Sequence, residues 1–183
     1  MIWLIAIYTR RAGAPYAFSM RLSDRFYLHE MTRSQLATRH QIVNQPNATQ
    51  IDALRHLCRD VMEPVRRHFG VPIVPSSGFR CLTLNRLLGS QDTSKHCLGE
   101  AVDFEIIGVS NICLAHWMAQ NLVFDQLILE YPQVDDGRAG WVHVSCRGAG
   151  NRGQCLTRRQ NGYIGGLPKL KRVHEKFPTA QKT

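Results

Sequence analysis

The chain has 183 residues, 44 % of them hydrophobic, a length and composition that suit one globular domain and exclude a disordered chain. No apolar run reaches the ~20 residues of a membrane-spanning helix. The formal charge of +9 and a pI near 9.6 favour polyanionic surroundings such as nucleic acid, anionic lipid or a bacterial envelope, and charge by itself does not choose among them.

In chain order, Met1 to Tyr8 is apolar and mimics a signal peptide. No positive charge precedes it, Arg10-Arg11 follows it, and no small-residue cleavage site closes it. Residues 1–24 are therefore expected to form a loosely ordered leader, inside an irregular arm that runs to residue 46 with short helical turns. Residues 47–69 carry the clearest helical pattern. Asn47 caps it with Gln50 three residues on, and Ile51, Leu54, Leu57, Cys58, Val61, Met62, Val65 and Phe69 recur at spacings of three and four. Pro64 should kink or restart this helix, and Gly70 should stop it.

Val71 to Pro75, with two prolines, reads as a short edge strand. Ser76 to Cys81 is a loop, Leu82 to Leu88 a short helix, and Gln91 to Leu98 a polar loop ending at Gly99. Ala101 to Ile107 alternates as a strand does, with Val102, Phe104 and Ile106 on one side and Ala101, Asp103 and Glu105 on the other. Ser110 opens a helix that runs to about Asn121. Phe124 to Tyr131 and Gly140 to Cys146 are two more strands. Taking Asp136-Gly137 as a two-residue hairpin turn and continuing that register sets Glu130 directly opposite His143. Beyond residue 147 the periodicity fades, and residues 166–183 read as a mobile basic tail.

Six cysteines are present and none forms a C-x-x-C pair, so the usual structural-zinc and redox spacings are missing; they are expected to be reduced and structural. The chemistry concentrates elsewhere. His96 enters from a loop, Gly99 turns the chain, and Asp103 follows on a strand. An imidazole and a carboxylate suit zinc, and His143 in Trp141-Val-His-Val-Ser145 offers a third ligand. A carboxylate flanked by Val102 and Phe104 needs a partner if buried. The alternative to a metal is a salt bridge from Arg80 or Lys95, and the same alternative holds for Glu130, the candidate general base.

At these positions the chain resembles the zinc D-Ala-D-Ala carboxypeptidases and related phage endolysins, the M15 peptidases. Their Ser-x-His-x-x-Gly-x-Ala-x-Asp signature is filled by Ser94, His96, Gly99, Ala101 and Asp103. Ser77-Gly-Phe-Arg80 matches an upstream Ser-Gly-Tyr-Arg, with Phe79 in place of tyrosine, and Trp141-Val-His143 matches a terminal Trp-x-His. In several relatives an acid stands three residues before the last histidine, where this chain has Gly140. The branch it most resembles carries its glutamate on the preceding strand, which points to Glu130, with Asp135 or Asp136 as substitutes.

The resemblance implies an α+β fold, a small antiparallel sheet flanked by helices, Hedgehog/DD-peptidase-like, over residues 25–165. It also implies a monomeric zinc carboxypeptidase acting on peptidoglycan stem peptides. His96, Asp103 and His143 would hold Zn2+, and Glu130 would serve as base. Arg80 would bind a substrate carboxylate or steady the oxyanion, and Ser94 would touch substrate or orient His96. A peptidoglycan endopeptidase would use the same site. A non-catalytic zinc-stabilised wall-binding module would keep the three ligands but need neither Glu130 nor Arg80. Specific nucleic-acid binding lacks any recognisable motif. The setting stays open between a bacterial envelope and a phage enzyme waiting in its host's cytoplasm.

Overall fold

The computed structural model describes residues 20–133 and 138–170. Two short helices, α1 (Leu28–Thr32) and α2 (Gln35–Arg39), form the helical turns of the N-terminal arm. The leader, residues 1–19, lies outside the described residues, as does the tail from residue 171.

The long amphipathic stretch folds as α3 (Ala48–Leu57), a π-helical turn (Cys58–Met62) and α4 (Glu63–Phe69). Asn47 and Gln50 form the reciprocal capping box that their spacing predicts. Pro64 has no N–H to continue the α-helical ladder. The wide turn ahead of it closes with a bond from the Glu63 N–H to the Cys58 carbonyl, and the helix restarts with Pro64 in its first turn, ending at Gly70.

Strand β1 (Val74–Ser77) lies at the sheet edge, as its prolines require, but starts three residues later than the pattern suggests and takes in both serines. It is followed by α5 (Leu82–Leu87), a 3₁₀ turn (Lys95–Leu98), β2 (Ala101–Glu105), α6 (Asn111–Asn121), β3 (Gln126–Glu130) and β4 (Trp141–Ser145). Two further strands, β5 (Gln154–Arg159) and β6 (Gly162–Gly165), occupy a region that sequence periodicity leaves blank. The six strands stand in the order β1-β2-β4-β3-β5-β6, and β3 pairs with β5 in parallel, so the sheet is mixed rather than purely antiparallel.

Alternation along the strands divides the sheet into two faces. Val102, Phe104, Leu127, Leu129, Val142 and Val144 are buried together with Leu54, Leu57, Val61, Met62, Ile112, Leu114 and Met118, so the helices cover one face and form the core with it. The opposite alternation carries Asp103, Glu130 and His143.

The β3–β4 register differs from the expected one. Glu130 faces Trp141, and Ile128 faces His143. The shift is two residues, an even number, so Glu130 keeps the face that His143 uses. The reason lies in the connection. Tyr131 adopts a positive φ of 51° and turns the chain out of the ladder at once; Gly140 re-enters it with φ 77°. A Cβ on Gly140 would overlap the Glu130 carbonyl oxygen, so only glycine permits the crossing. Among the described residues the ladder thus ends at Glu130 and Trp141, short of the expected hairpin turn. The Asp136-Gly137 turn, with Asp135 and Asp136 as possible acids, lies outside the described residues.

Candidate metal centre and catalytic cleft

Three elements deliver three donor side chains. The 3₁₀ turn brings His96, β2 brings Asp103, and β4 brings His143 directly opposite Asp103 in the ladder. The turn is fixed from behind. Gly99 (φ 74°) packs so tightly on the Gln50 carbonyl that a Cβ would collide, and the Gln50 amide donates to the Cys97 carbonyl at 2.9 Å. The first turn of α3 therefore sets the height of the His96 loop.

His143 Nδ1 lies 2.7 Å from Asp103 Oδ1; His96 Nε2 lies 3.3 Å from His143 Nδ1 and 3.3 Å from the same Asp103 oxygen. All three residues are buried. His96 Nδ1 sits 2.7 Å from the Gly78 carbonyl, which only accepts, so Nδ1 carries the proton and Nε2 turns its lone pair inward. Burial keeps this imidazole neutral by lowering its pKa. An imidazole lone pair and a carboxylate oxygen then point at one another, an arrangement that calls for a cation between them. Zinc bound tetrahedrally at about 2.0–2.2 Å places its donor atoms about 3.3 Å apart. The donor set and its spacing fit a divalent metal, and these three are the residues among those described that are grouped to hold one.

Burial by itself would raise the Asp103 carboxyl. The positive charge and hydrogen bonds that the His96 and His143 imidazoles supply when protonated outweigh it and hold the group well below the ordinary carboxylate range. The salt-bridge alternative from Arg80 is present as well, through the other oxygen: Arg80 Nη2 donates to Asp103 Oδ2 at 2.6 Å, and its Nε donates to Ser77 Oγ at 2.7 Å. One carboxylate thus faces the imidazoles with Oδ1 and the guanidinium with Oδ2. Lys95 is engaged elsewhere, with Glu100 at 2.7 Å.

These residues open onto a cleft of about 650 Å³ that also takes in Ser94, Ile128, Glu130, Trp141, Arg158 and Tyr163. Glu130 is buried, and burial followed by the charge of Asp103 pushes its pKa up, while His143 and Arg158 pull the other way. Ser94 lines the cleft, whereas the Gly78 carbonyl is what orients His96. Sequence spacing missed Gly78 in that role, and it missed Arg158 and Tyr163 altogether. A Gly-Tyr dipeptide between basic stretches carries no strand signal, and only the parallel pairing of β5 with β3 brings it to the cleft. No disulfide joins the cysteines among the described residues.

Three converging donors at the floor of an open polar cleft form a candidate metal site. The model of the peptidase M15 family matches residues 24–145, well over half of the chain, and the chain belongs to that family, a family of peptidases. No curated protein matches it. The match ends with β4, so β5 and β6 lie beyond it.

Proposed function

We propose that this peptidase is a zinc-dependent carboxypeptidase that hydrolyses D-Ala-D-Ala or related bonds of peptidoglycan stem peptides. The observation that carries this reading is the convergence of His96, Asp103 and His143 within 3.3 Å of one another, in a cleft that also holds Glu130 and Arg80. His96 Nε2, Asp103 Oδ1 and His143 Nδ1 would hold the ion. When bound, zinc supplies Lewis-acid polarisation of the scissile carbonyl and acidifies water toward a pKa of ~7.

The remaining steps belong to the chain. Glu130, its basicity raised by burial, takes the proton of the attacking water and returns it to the leaving amine. Arg80 keeps Asp103 oriented and presents the rest of its guanidinium to the substrate, as partner of a carboxylate or of the developing oxyanion. Ser94 on the cleft wall is placed to hydrogen-bond the peptide backbone.

Zymography on purified peptidoglycan, with and without a chelator, tests the activity and its metal dependence. Clearing that a chelator abolishes and zinc restores is expected. Product masses should show free D-Ala; larger fragments without it would replace the carboxypeptidase by an endopeptidase, and no clearing at all would end the reading.

A further inference from the structure

The cleft holds two arginines, and their situations differ. Arg80 is committed: its side chain is 14 % exposed, with Nη2 on Asp103 and Nε on Ser77. Arg158, on β5, is 40 % exposed at its side chain and touches the Glu130 carboxylate through Nη1 alone, at 3.2 Å. Its guanidinium lies between two rings, 5.3 Å from the Tyr131 centroid and 5.4 Å from that of Tyr163. Such a cage confines a cation's swing while leaving its N–H edge open.

The placement follows from the sheet. Trp141, Glu130, Arg158 and Tyr163 are consecutive partners across β4, β3, β5 and β6, one row on the face that carries His143. With strands ~4.8 Å apart, Arg158 stands about 10 Å across the sheet from the His143 strand, and a long side chain spans much of that gap. The backbone also holds this corner. Tyr131, at φ 51°, is one of two non-glycine residues with positive φ among those described, and its N–H donates to the Arg158 carbonyl at 2.9 Å. The strained Tyr131 backbone is thereby tied to the strand that carries Arg158. The connector before β5 is pinned too: Arg152 grips the buried Asp125 carboxylate with bonds of 2.8 and 2.7 Å.

We propose that Arg158 is a specificity-determining residue that receives the C-terminal carboxylate of the substrate, which leaves Arg80 to the metal centre and the oxyanion. This deepens the peptidase reading of the same cleft and rests on it. The carboxylate of an incoming peptide takes the open N–H edge of Arg158, while Nη1 keeps Glu130 beside the scissile bond. Peptides whose terminal charge is absent leave that edge unpaired in a partly closed cleft, and they bind poorly. The hairpin of β5 and β6, outside the region that the family model matches, is then the part of the chain that selects for a free terminus.

The test uses the zinc-loaded full chain and two peptides, diacetyl-Lys-D-Ala-D-Ala with a free carboxylate and its terminal amide. The parent protein should favour the acid by roughly ten-fold or more in kcat/KM, as expected for a charge-assisted bond. In Arg158→Gln the acid should lose that advantage, mainly through a higher KM, so that the ratio of acid to amide falls toward one whatever slowing the loss of the Glu130 contact adds to both peptides; Arg158→Lys, which keeps the charge without the fork, should fall between. Equal slowing of both peptides would mean that Arg158 acts only through Glu130, and the proposal would be overturned. It would equally be overturned by an acid preference that survives in Arg158→Gln. Binding of N-acetyl-D-alanine and of its amide, followed by NMR titration, needs no turnover. If the parent protein hydrolyses neither peptide, the carboxypeptidase reading fails while this measurement still decides Arg158. Tighter binding of the acid that Arg158→Gln abolishes supports the proposal, and equal binding of acid and amide sinks it. Zinc content and thermal midpoint show whether each variant is folded.

Discussion

Asp103 divides its two oxygens between the imidazoles and Arg80, and His96 divides its two nitrogens between the Gly78 carbonyl and the donor cluster. Removing either residue takes away a proposed ligand and frees the group behind it. His96→Ala and Asp103→Ala are expected to lose both bound metal and activity; one equivalent of metal still found by elemental analysis in both would remove the ligand assignment. Glu130→Gln should keep the metal and cut kcat by roughly 10²–10⁴-fold, the usual share of a general base. The pH dependence has a defined sign. As the proposed base Glu130 works as the carboxylate, so activity should rise with pH through its pKa. Arg158 stabilises the charged form, so its removal must raise that pKa. The acidic limb of kcat/KM in Arg158→Gln should therefore move to higher pH, and a limb that stays in place or moves down would show that the ion pair does not form in the working enzyme.

At the scale of elements, the connection between β3 and β4 decides which residues share the cleft. Helix α3 and its capping box were legible because both rest on contacts within a few residues. The strand register was not, because it depends on how residues 131–140 cross rather than on alternation. Gly140 is the pivot. Gly140→Ala adds a Cβ where the Glu130 carbonyl already stands, at a positive φ, and should destabilise the fold by about 2–4 kcal/mol while disturbing the placement of Glu130. Denaturant unfolding measures the first effect and kcat with unchanged metal content measures the second; an alanine variant of parental stability would show that the crossing is looser than described.

For the whole molecule, the helices bury one sheet face and leave the other to the cleft, so the candidate metal site is assembled only in the folded chain. On the proposed reading, zinc binding stabilises the fold by mass action, by about 4 kcal/mol at a thousand-fold excess over Kd. The thermal midpoint should rise with free zinc and fall with a chelator, more than in Asp103→Ala treated in the same way; equal shifts in both proteins would mean that zinc binds elsewhere. No helix among the described residues is long and apolar enough to cross a membrane, in keeping with the lack of a long apolar run in the sequence.

By itself the sequence determined the family signature, the long capped helix, the alternation that separates core from cleft side chains, and which three residues, His96, Asp103 and His143, converge in the cleft. Each of these is written in short-range spacing, where a side chain's direction follows from its position in a helix or strand. The tertiary structure alone decided the register of β3 on β4, the parallel β5 with its β6 partner, the division of Asp103 between Arg80 and the imidazoles, and the arrival of Arg158 beside Glu130. The side-chain contacts among these join residues 23 to 40 positions apart through loops whose path no periodicity encodes. They exist only once the sheet has closed and its partners have been chosen.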